Sequence, residues 1–95
     1  MKYTTANLRL KLMDCIGNDI TSKELGDWTY DAWHHHNKSK KGYNKLIVLL
    51  LEISSEWGML SASEESANFS KEFLKEKLKE LEDFMNIEKE EEFGF

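Results

Sequence analysis

Apolar residues recur with helical spacing in four stretches of this chain, separated by short polar links. In the first, Leu8, Leu12, Cys15 and Ile16 share one side of a helix, and Leu10 and Met13 widen the apolar face. Thr4 or Thr5 is positioned to cap its start, and Gly17 is placed as the C′ residue that ends it. The second stretch opens with Thr21, Ser22, Lys23 and Glu24, the S/T-x-x-E capping box, with Ile20 and Leu25 at the positions of a hydrophobic staple. Leu25, Trp28, Ala32 and His35 then fall on one side. Tyr30 and Trp33 lie off that stripe, and Asp27 and Asp31 form an i, i+4 acidic pair on the more exposed side.

The third stretch, Leu46 to Trp57, is the only dense apolar run. At about 100° per residue, Leu46, Leu50, Ile53 and Trp57 make one stripe, flanked by Ile47, Leu49, Leu51 and Ser54. Lys45, Val48, Glu52, Ser55 and Glu56 fill the remaining arc, so a narrow carboxylate-bearing strip is expected to face water or a partner. Gly58 is expected to end this helix, with Met59 and Leu60 turning back to the core. The run is shorter than the roughly 20 residues that cross a bilayer. Ser61 to Asn68 reads as an acidic loop, and Asn68 or Ser70 as the cap of a last helix. That helix carries the stripe Leu74, Leu78, Leu81 and Met85, with Phe73 and Phe84 beside it. On its outer face Glu72–Lys75, Glu76–Lys79 and Lys77–Glu80 are expected pairs.

Four amphipathic helices with short connections predict an all-α, compact antiparallel four-helix bundle. One domain is expected over residues 1–87, with a charged C-terminal tail over 88–95. The chain's 95 residues are enough for one modest core, and the absence of proline suits long helices.

Charge sharpens the picture. The formal net charge is −5. Residues 1–45 carry eight Lys/Arg and five Asp/Glu, whereas residues 46–95 carry five and thirteen. From Glu52 to Ser70 there is no Lys or Arg. Such a balance disfavours nucleic acid as a ligand and favours a basic partner protein. The N-terminal segment lacks an apolar signal region, which gives a cytoplasmic expectation.

The search for chemistry points to binding, not catalysis. There is no Gly-rich phosphate loop, Cys-x-x-Cys, His-Glu-x-x-His or Gly-x-Ser-x-Gly. The single cysteine, Cys15, excludes an internal disulfide, and its place on an apolar stripe reads as a small core hydrophobe. His34, His35 and His36 project about 100° apart on a helix, so they cannot all grip one ion. They read as cations or polar caps near a helix end. Lys38, Lys40 and Lys41 form a solvated basic loop without the Arg and aromatic support of a nucleic-acid face. Thr21 to Leu25 resembles the opening of a helix-turn-helix motif, but residues 25–36 run on without its break. No catalytic residue, cofactor site, metal site or membrane segment is expected.

In its order of features, the chain resembles the immunity proteins of the colicin D and contact-dependent growth inhibition families. The resemblance rests on Ile20 to Leu25 leading into Asp27, Trp28, Thr29, Tyr30, Asp31, Ala32 and Trp33. It extends through the apolar central helix from Leu46 to Trp57, the acidic link from Ser61 to Asn68, and the closing helix from Ser70 to Met85. It implies a bacterial protein that neutralises a basic toxin domain, typically an RNA-cleaving nuclease, by covering its cleft with carboxylates. Glu52, Glu56, Glu64 and Glu65 are the first candidates for that contact, and Asp27 and Asp31 the second. Tyr30, Trp33 and Tyr43 are candidate aromatic anchors. The alternatives are a phage or mobile-element inhibitor that mimics nucleic acid against a host protein, and an adaptor bundle that homodimerises through the second helix.

Overall fold

In the computed structural model, which describes residues 3–38, 45–63 and 67–92, four helices follow one another: α1 (Thr5–Ile16), α2 (Ser22–Lys38), α3 (Lys45–Ser63) and α4 (Lys71–Glu92). Side chains are described to residue 36 in α2 and to residue 86 in α4. The starts of α1, α2 and α4 are each fixed by a local cap. Thr4 Oγ1 accepts from the amide of Asn7 at 3.1 Å, Thr21 Oγ1 from Glu24 at 3.1 Å, and Ser70 Oγ from Phe73 at 3.1 Å. These hydroxyls satisfy amides that the first turn leaves without an intrahelical partner.

Polar pairs between helices set their directions. Arg9 meets Glu82 at 3.2 Å, and Lys71 Nζ donates to the carbonyls of Cys15 and Ile16 at 3.2 and 2.6 Å, so α4 runs against α1. Glu52 bonds Lys77 and Lys45 approaches Glu80 at 3.7 Å, so α4 also runs against α3. Gly26 lies under the Trp57 ring, which sets α2 against α3. Chain neighbours pack side by side and α4 closes on α1, giving an antiparallel four-helix bundle. Leu8, Leu12, Leu25, Ala32, Leu49, Leu50, Ile53, Leu74 and Leu81 are sealed at its centre.

Three element ends differ from expectation. Gly17 stops α1 at φ −81°, and the left-handed residue is Asn18, at φ 64°. Asn tolerates that conformation, and its side-chain oxygen accepts from Lys71 at 2.8 Å. The backbone of α4 is helical through Glu92, past the boundary expected at residue 87, and residues 93–95 lie outside the described residues. Most consequential, α3 does not stop at Gly58 but continues to Ser63. It is 19 residues long with a mean hydropathy of 1.4 over an 18-residue window, which meets the length and composition of a bilayer-crossing helix, and 22 % of that window is buried in the bundle. One interior glycine costs about 1 kcal/mol, too little to end a helix held by its neighbours.

Candidate partner-binding face

The orientation of α3 decides which of its residues meet the outside. Leu46, Leu49, Leu50 and Ile53 are buried and mark the inward direction. Trp57 lies against Gly26 and marks the α2 side; Glu52 and Lys45 reach α4 residues and mark the α4 side. At about 100° per residue, the arc opposite the core holds Val48, Leu51, Ser55, Gly58, Met59 and Ala62. Leu51 is 45 % exposed and Met59 62 %. The outward face of α3 is therefore apolar and uncharged. The carboxylate strip expected there is rotated toward α4, and Leu51, expected to flank the buried stripe, faces out.

Glu52 is committed within the fold. Its carboxylate bonds Lys77, a lysine with only 10 % of its side chain exposed, which also lies 3.1 Å from Glu80 and over the Phe73 ring. Burial pulls the Lys77 ammonium down, and the hydrogen bonds to Glu52 and Glu80 outweigh it, holding its pKa above the ordinary value. Glu56, one turn further along α3, is half-buried on the same side.

The α4 side of this seam carries more acid than the sequence reading assigned to it. Glu72, Glu76, Glu80 and Asp83 stand at i, i+4, i+8 and i+11. Contacts of Glu80 with Lys77 and Lys45 turn that row toward α3. Glu72, Glu76 and Asp83 are exposed. Of the three pairs expected along α4, Lys77–Glu80 forms, and no ion pair joins Glu72 to Lys75 or Glu76 to Lys79 among the described residues. Six carboxylates thus stand along the α3–α4 seam, against Lys45 and Lys77 within it and Lys79 at its outer edge, seven residues from Glu72 and four from Asp83. A depression of about 400 Å³ beside Lys45, Glu80, Asp83 and Phe84 gives the seam relief. The pattern was available as an acidic four-residue repeat, but it was spent on i, i+3 pairing.

On α2, Glu24, Asp27 and Asp31 are all exposed; with Gly26 set against Trp57, about 100° per residue turns Asp27 outward and Glu24 and Asp31 away from α3. Asp27 is paired with Lys23 at 2.8 Å. Tyr30, 53 % exposed, stands between this row and α3, with its ring 4.5 Å from His34. Trp33 is half-buried against the core. Glu64, Glu65 and Tyr43 lie outside the described residues.

The remaining features serve the fold. His36 Nε2 donates to the carbonyl of Tyr3 at 2.6 Å, and the Tyr3 ring lies 5.5 Å from Trp28, pinning the N-terminal segment across α2. Burial pushes the Cys15 thiol above its ordinary pKa, with the Ser22 hydrogen bond partly opposing, which disfavours a thiolate. Among the described residues no three His, Cys, Asp or Glu side chains converge as metal ligands.

No family model matches the chain, and neither a curated protein nor a solved structure shows significant similarity to it.

Proposed function

We propose that this chain is an immunity-type inhibitor: a cytoplasmic protein without catalytic activity that binds a basic toxin domain, an RNA-cleaving nuclease, and covers its active-site cleft with acid. The observation that carries this reading is the α3–α4 seam, where Glu56, Glu72, Glu76 and Asp83 are presented beside the paired Glu52 and Glu80. A nuclease cleft is built to hold a polyanion. A row of carboxylates meets the same cationic groups, and its long-range field speeds encounter and rejects acidic surfaces. Asp27 of α2 adds acid at the edge of the contact, and Asp31 lies beyond it. Glu52 contributes by holding the seam together through Lys77, and its neighbours make the outward contact.

Co-expression tests this. The chain should restore growth of cells making the toxin domain encoded beside it. Glu56→Lys, Glu76→Lys and Asp83→Lys combined should abolish the rescue while leaving helix content intact. Full rescue by that triple variant would remove the seam from the mechanism.

A further inference from the structure

We propose that the outward face of α3 receives an amphipathic basic segment of the partner, with an apolar stripe on α3 and Lys or Arg along the acidic α3–α4 seam. This deepens, and rests on, the basic-partner reading above. Leu51 and Met59 are large apolar residues held in water at 45 % and 62 % exposure, and no ionisable group lies in the arc between them. From Val48 to Ala62 the strip is 14 steps long, about 21 Å, or roughly four turns of a docked helix.

Gly58 gives the strip a purpose beyond exposure. Glycine in a helix interior is unfavourable. At Gly26 the reason is internal, because a Cβ there would lie 2.3 Å from the Trp57 ring. At Gly58 a Cβ would meet nothing within 4 Å, so no neighbour among the described residues requires the gap. Flanked by Ser55 and Ala62, it leaves a shallow trough in which another backbone approaches closely.

Charge selects the occupant. The strip is bordered by the acidic α3–α4 seam on one side, and on the other by Tyr30 and the Lys23–Asp27 pair of α2. A second copy of this chain would bring acidic seam against acidic seam, and an anionic lipid surface would be repelled likewise. A segment with an apolar stripe and basic flanks satisfies both parts, an apolar centre within a polar rim. Tyr30 stands where such a segment would gain an aromatic anchor.

The test uses the full chain and two synthetic peptides of about 18 residues. One is a leucine–lysine amphipathic helix; the other has equal charge with its leucines replaced by serine. The first should bind about tenfold more tightly or better. Leu51→Ser with Met59→Ser, and separately Gly58→Gln, should erase that preference while leaving serine-peptide binding and helix content unchanged. Equal affinity of the two peptides, or a preference that survives both variants, would overturn the proposal and leave the acidic-face reading standing. Failure of both peptides to bind would overturn that reading as well. Sedimentation of the free chain should give a monomer; a dimer lost in Leu51→Ser/Met59→Ser would assign the face to a second copy instead.

Discussion

Two glycines in helix interiors carry opposite consequences. At Gly26 the added methyl of alanine would collide with Trp57 at 2.3 to 2.9 Å, so α2 and α3 must part. Gly26→Ala should cost about 1–3 kcal/mol, read as a lower urea midpoint. At Gly58 the methyl enters open space, and Gly58→Ala should stabilise by about 0.5–1 kcal/mol in the same experiment. Lys77 makes a second residue-scale prediction. Its pKa in the fold is raised above 10.5, so its contribution is fully present below that pH and is lost as pH rises through the folded value. Stability of the wild type should fall above about pH 10.5, and Lys77→Met should lack that limb. At neutral pH the same substitution takes the Lys77 ammonium from Glu52 and leaves Glu80 with Lys45 alone, at a cost of about 1–2 kcal/mol.

At the scale of the element, what was legible in the sequence depended on how local the cause is. The caps at Thr4, Thr21 and Ser70 act within one turn, and each is where its residue pattern puts it. The cores of the stripes of α1, α2 and α4 follow from period, as with Leu8 and Leu12 or Leu74 and Leu81, but Leu10, Met13 and His35, read onto those faces, are exposed. For α3 the period could not decide, because nearly its whole surface is apolar and the choice of outward arc is made by its neighbours. The Glu52–Lys77 pair turns the acidic edge toward α4, and Trp57 on Gly26 fixes the other side. Likewise Gly58 reads as a stop, yet packing of Leu60 against the core carries the helix through it. The acidic row of α4 was visible as spacing, but only Lys45 and Lys77 show which way it faces. Lys71 provides the element-scale test. Its ammonium binds the last carbonyls of α1 and Asn18, where the helix dipole is negative. Lys71→Met should lower stability by about 1 kcal/mol and speed amide exchange in the turn after α1.

For the whole molecule, the helices sort charge so that an acidic seam between α3 and α4 borders the uncharged strip of α3. That arrangement is consistent with a net charge of −5 and says where the excess is spent. In the proposed complex, apolar contact along the strip supplies area that surface ion pairs alone do not, and the acidic seam governs encounter and selectivity. A partner bound this way should show strong salt dependence in its association rate and weaker dependence in its dissociation rate. The most direct test measures the affinity of the intact chain for the toxin domain it is proposed to neutralise, from about 50 to about 300 mM salt. The account predicts a loss of about tenfold or more across that range for the wild type, and a weaker, nearly salt-independent interaction for the Glu56→Lys/Glu76→Lys/Asp83→Lys variant. Equal affinities for both proteins at every salt concentration would contradict it.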